Sequence, residues 1–112
     1  MSDRALLRLL VLAATLAAFA PCLSAGFTGW DDKLFILDNA AIRGLSPAHL
    51  RAMAGPFLGG VWIPLTWLSY ALDRSLWGVE PAGYHLTSLL LHAAAALLFY
   101  EIGLILDRKS VV

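Results

Sequence analysis

Two long apolar runs bracket a polar, tryptophan-rich middle. Leu9–Trp30 has no formal charge over about 22 residues, and Tyr84–Leu106 holds a single charged side chain, Glu101, in about 23. As a helix, either run can cross ~30 Å of hydrocarbon. The intervening Asp31–Pro81 stretch is too charged to span. The pattern predicts an all-α membrane fold. Two transmembrane helices, at 9–30 and 84–106, are joined by an external loop, 31–81, that contains short amphipathic, membrane-surface helices. Cytoplasmic ends follow at 1–8 and 107–112, and the whole reads as a truncated fragment of a larger multi-span fold. For the first run the rival is a cleaved signal peptide with Ser2–Arg8 as its charged start and Leu9–Ala20 as its apolar core. Ala18-Phe19-Ala20 fits a cleavage site, but Pro21 follows it and the run is long, which favours a retained anchor.

Within the middle, Ser46-Pro47 reads as an N-cap followed by proline at the first helical position, with Leu45 and Leu50 placed as a hydrophobic staple. A short helix is expected from Pro47 to about Met53, ended by Gly55-Pro56, with Gly59-Gly60 as a flexible joint. Pro64 opens a second helix that Gly78 closes. Leu65, Leu68, Leu72 and Leu76 share one stripe of it, and Thr66, Ser69 and Asp73 lie on another side. Trp62, Trp67, Tyr70 and Trp77 crowd the same segment, and such aromatics favour the membrane–water boundary. The helix is expected along the membrane surface or against the protein's own spans; an ordinary amphipathic core helix is the competing reading.

Composition narrows the class. The chain is 60% hydrophobic and 14% charged, where soluble domains are nearer 25% charged. Eight Lys and Arg balance eight Asp and Glu, so no basic patch for nucleic acid is implied. Cys22 is the single cysteine, which excludes an internal disulfide and any cysteine-based metal spacing. Arg4 and Arg8 flank one run and Arg108 and Lys109 the other. By the positive-inside tendency both termini are cytoplasmic and the loop is outside, in an integral membrane protein read as one of the bacterial inner membrane. The expected partners are the lipid bilayer and the remaining transmembrane helices of a longer chain, because two spans and a loop offer little core of their own.

Candidate chemistry falls in two places. Asp31 and Asp32 lie just past the first run; adjacent residues cannot share one helix face, but in a loop their carboxylates can diverge. The bland alternative has one of them capping Lys33–Leu37 and the other solvated. In the second run His85, Ser88 and His92 follow at steps of three and four, on one helical face. Groups of this kind at membrane depth face protein or a water-filled cavity. They serve either as inter-helix hydrogen bonds or as a substrate-binding wall formed by His85 and His92, and leucine at His92 is then expected to disturb more than leucine at Ala93. Glu101 is expected to reach the inner interface or pair with a helix outside this chain.

Several stretches in order carry a resemblance. They are Gly29-Trp30-Asp31-Asp32, Asp38-Asn39, Ile42-Arg43-Gly44-Leu45-Ser46, the run Pro64–Asp73, Leu76-Trp77-Gly78, Pro81–Thr87 and Leu89-Leu90-Leu91-His92. Together they cover roughly Phe27 to Leu98 and resemble the membrane mannosyltransferase-like proteins that carry a C-terminal tetratricopeptide array. The resemblance implies a multi-span glycosyltransferase of the GT-C type. Its donor would be a polyprenyl-phosphate sugar and its acceptor a hydroxyl outside the cytoplasm, and the 112-residue chain alone would be inactive. In that reading Asp31 and Asp32 are catalytic, one as general base and the other orienting it or, as Asp32, holding a divalent metal ion. Ile63 departs from the pattern, since members often carry His or Arg there. The alternative is a non-catalytic membrane scaffold in which the acidic pair is a structural cap.

Overall fold

The computed structural model describes residues 1–55 and 58–110, the side chains of 109 and 110 excepted. Among the described residues every regular element is helical. α1 is Asp3–Phe19, α2 Pro47–Ala54, α3 Pro64–Trp77 and α4 Pro81–Ser110; 3-10 turns occupy Ala20–Ser24 and Ala40–Ile42, and a π-helical turn occupies Lys33–Leu37. Helical stretches at Asp3–Ser24 and Pro81–Arg108 are long and apolar enough to cross a membrane. The chain divides into two compact units, Met1–Leu23 with His85–Val112, and Ser24–Tyr84.

The first unit is an antiparallel helical pair. Arg8 of α1 meets Glu101 of α4, and further along Phe19 meets His92. The first helix begins and ends earlier than the uncharged run 9–30. Ser2 caps it by accepting the Ala5 N–H at 3.3 Å, and at the far end the helix tightens at Ala20, beside Pro21, which has no N–H to give. Gly26–Trp30 lies outside any helix. The absence of charge marks residues that tolerate hydrocarbon, whereas the helix ends are set by backbone hydrogen bonding. The Arg8 guanidinium grips the Glu101 carboxylate with Nε and Nη2, the latter at 3.0 Å. Glu101 therefore finds its partner inside this chain. The basic flank of α4 is Arg108 here, since the Lys109 side chain lies outside the described residues.

The second unit has a core of its own, contrary to the expectation that a loop of this size would have little. Ile36, Ile42, Met53, Trp67, Ala71 and Tyr84 are buried together, with Phe27, Leu58, Ile63 and Tyr70 packed against them. Burying each large apolar side chain is worth ~1.5–3 kcal/mol, enough to order the short elements around them. Ser46 accepts the His49 N–H and starts α2. Of the Gly55-Pro56 stop, Gly55 is the C-cap and Pro56 lies outside the described residues. Gly59 and Gly60 are a tight turn rather than a flexible joint. Both have positive φ, +59° and +82°, and Leu58 and Val61 exchange two backbone hydrogen bonds of 3.1 Å across them. Two successive positive φ angles are what a tight hairpin turn demands of glycine. Trp62 donates its indole N–H to the Ala54 carbonyl at 2.8 Å and fastens the turn to the end of α2.

α3 turns Trp67, Ala71 and Asp73 inward. Three leucines of its stripe stay open, with Leu65 80% and Leu76 73% exposed and Leu72 exposed as well, while Leu68 packs against the core. Trp67 is thus a core residue, and the stripe supplies the apolar face of an amphipathic helix. Ile63 is an apolar plug against the same core, which gives a packing reason for its departure from a charged residue. Gly78 ends α3 at φ +63°. Gly83 lies where any Cβ would collide with the Trp77 side chain, so the first turn of α4 closes directly on the end of α3.

Candidate functional site

Asp31 and Asp32 stand at the entrance to the π-helical turn Lys33–Leu37, yet they have different surroundings. Asp32 is half-buried, and its Oδ2 accepts the Thr28 backbone N–H at 2.8 Å and the Thr28 hydroxyl at 3.2 Å. It makes no cap bond to the turn that follows. The expected capping role is therefore not the one this carboxylate plays; it reaches back and closes the loop Thr28–Asp32. Asp31 is exposed, and among the described residues its carboxylate has no hydrogen-bond or ion-pair partner. The next motif, Asp38-Asn39, is structural. Asn39 is buried, donates to the Phe35 carbonyl at 3.1 Å and accepts the Ala41 N–H at 3.0 Å, while Lys33 pairs with Asp38 at the surface.

Tyr70 and Asp73 lie on α3. The Tyr70 phenol is held above its ordinary pKa, first by burial and then by the charges of Asp32, Asp73 and Asp31. It therefore stays protonated. Asp73 is 4% exposed and engaged with a partner. Neither residue stood out as functional in the sequence. The available signal was spacing, since Tyr70 and Asp73 lie three apart on one face of a helix, but nothing in the sequence said that the charges of Asp31 and Asp32 would act on the Tyr70 phenol.

Asp32 as a metal ligand is poorly provided for. One of its oxygens is committed to Thr28, and among the described residues no three His, Cys, Asp or Glu side chains converge.

The histidine face belongs to the other unit. Ser88 and His92 line a cleft of about 240 Å³ together with Phe19, Cys22 and Leu89. The Phe19 and His92 rings meet edge to face, 4.6 Å between centroids. His85 is half-buried and is not part of that lining, so the structure brings Ser88 and His92 together and leaves His85 apart. Leu89 and Ala93 are the buried positions of this segment. Ala93 is therefore unsuited as the neutral comparison for His92, because leucine there would overfill a packed seam; the exposed Ala94 serves instead.

No protein-family model matches the chain, and no solved structure does. Two curated proteins of Drosophila melanogaster are similar to it. Protein O-mannosyl-transferase Tmtc1 is 33% identical over 90 residues, which cover 72% of this chain and 10% of the relative. Protein O-mannosyl-transferase Tmtc2 is 35% identical over 91 residues, with the same shares. Over this stretch the chain belongs to their family. It spans about a tenth of the length of these relatives. The membership agrees with the all-α membrane architecture and with the resemblance carried by the acidic pair and the Pro64–Asp73 run. Both relatives are animal proteins, so they lend nothing to the expectation of a bacterial inner membrane.

Proposed function

We propose that this segment forms the donor-side membrane portion of a glycosyltransferase, with Asp31 as the general base and Asp32 as the residue that holds it in place. The observation that carries the reading is the contrast between the two carboxylates. Asp32 is bound to Thr28, whereas Asp31 is exposed and without a partner among the described residues. A base has to leave a lone pair open to the acceptor hydroxyl and come within hydrogen-bond reach of it. The pair also follows the membrane-length helical stretch Asp3–Ser24 in the chain.

The donor in this reading is a polyprenyl-phosphate sugar. The relatives' names point to mannose as the sugar and a protein hydroxyl as the acceptor. Asp31 takes the proton of the acceptor hydroxyl as that oxygen bonds to the anomeric carbon. The bond from that carbon to the phosphate oxygen breaks, polyprenyl phosphate leaves with the electron pair, and the proton passes from Asp31 to solvent. Asp32 supports the loop from behind through Thr28, and Tyr70 offers a donor beside the pair. No step is routed through a metal ion. Ser88 and His92 line a cleft within their own unit, and His85 takes no part in that lining. The loop faces outward and both termini face the cytoplasm.

The test is transfer itself. Membranes containing the complete polypeptide are given polyprenyl-phosphate mannose or a nucleotide-linked mannose, together with a serine- and threonine-containing peptide. Transfer from the lipid-linked donor alone is expected. No transfer from either donor would favour a non-catalytic scaffold.

A further inference from the structure

Three rings line up from Phe27, the residue before Thr28, to Tyr70 on α3. Phe27 and Tyr84 meet edge to face with 5.3 Å between centroids, and Tyr84 and Tyr70 lie 6.0 Å apart, tilted at 59°. Tyr84 is the middle ring and is 4% exposed. Its hydroxyl donates to the Gly78 carbonyl at 2.8 Å, so the ring is held by a neighbour on either side and pinned at its tip. At one end Phe27 adjoins Thr28, the residue that binds Asp32. At the other end Tyr70 sits on α3, near enough to Asp31 and Asp32 for their charges to act on its phenol. Such ring pairs are worth ~0.5–1.5 kcal/mol each beyond the area they bury, and they prefer edge-to-face or offset arrangements to a face-to-face sandwich. The ladder therefore couples the backbone just before the pair to the helix face beside it.

We propose that Tyr84 is a positioning residue for the acidic pair. As the middle of the Phe27–Tyr84–Tyr70 ladder it fixes the Thr28–Asp32 loop against α3 and so sets where the Asp31 carboxylate points. The proposal rests on the transferase reading given above. Displacing a base by about 1 Å is enough to slow a reaction by ~10²-fold, so a residue that never touches substrate still governs turnover here.

The test uses the complete polypeptide with Tyr84→Leu, which removes the middle ring, Tyr84→Phe, which keeps it, and Phe27→Leu, which shortens the ladder from its end should the first variant fail to insert. Tyr84→Leu is expected to lower kcat by about tenfold or more and to leave the donor KM within about twofold. Tyr84→Phe should stay close to the parent, because Gly78 is exposed and water can satisfy its carbonyl. Phe27→Leu should fall in between. A spin label on Trp30→Cys, in a Cys22→Ala background, reports the loop without any activity; its mobility should rise with Tyr84→Leu or Phe27→Leu and not with Tyr84→Phe. Parental kcat in both leucine variants, a loss confined to KM, or unchanged label mobility overturns the proposal. If the parent transfers no sugar, the transferase reading fails on its own, and the label still decides whether the ladder holds the loop.

Discussion

Adjacent aspartates carry the same functional group, so their division of labour comes from what each carboxylate touches. Thr28 occupies one oxygen of Asp32 with two hydrogen bonds, and Asp31 is left open. Tyr70 extends the argument. Burial, and then Asp32, Asp73 and Asp31, raise its pKa above the ordinary value of 10.0. A group whose folded value is raised above its unfolded value contributes stability that is complete below the unfolded value and is lost as pH rises through the folded one. The detergent-solubilised protein should therefore keep its Tm from about pH 7 to about pH 9 and lose it above about pH 10. Tyr70→Phe should make that alkaline decline shallower, because one phenol that resists ionisation is gone. An identical decline in the variant would show that the Tyr70 phenol is not held above its ordinary value. The sequence displays all four residues, but their meeting depends on a loop closure that no local pattern encodes.

Between α1 and α4 the Arg8–Glu101 pair sets register. Two charges in helices that cross a membrane are costly apart and tolerable together, because each supplies the other's counter-charge and hydrogen bonds. Arg8→Leu and Glu101→Leu should each reduce folded, inserted protein by leaving one charge unmatched, and the double variant should recover most of the loss. Expression and size-exclusion profiles of the four proteins make the comparison, and a double variant worse than both singles would mean that the pair does not work as a unit. The helices themselves were readable from the sequence: apolar length gave α1 and α4, and the Ser46-Pro47 and Pro64…Gly78 signals gave α2 and α3. What was hidden was tertiary in origin. Trp67 reads as an interface aromatic and is a core residue. Gly59-Gly60 reads as a joint and is a hydrogen-bonded turn. In both cases packing contacts distant in sequence decided between two local options.

For the whole molecule, topology and activity are linked, since the proposed base must face the side where the acceptor lies. In a Cys22→Ala background, a membrane-impermeant thiol reagent added from outside should label a cysteine at the exposed Ala48 and spare one at Ser110. Ala48 is preferred to Gly60, whose φ of +82° would strain a cysteine. The reverse labelling would put the loop on the wrong side. The acidic pair was legible in the sequence as a candidate; its asymmetry was not, because that required the fold of Thr28–Asp32. The most direct measurement is sugar transfer by the complete polypeptide carrying Asp31→Asn or Asp32→Asn, which keep the side-chain shape and remove the basicity. The account predicts a loss of at least about a hundredfold for Asp31→Asn, the low end for a missing general base, and a smaller loss for Asp32→Asn, whose amide oxygen can still accept from Thr28. Parental transfer by Asp31→Asn, or the larger loss in Asp32→Asn, would contradict it.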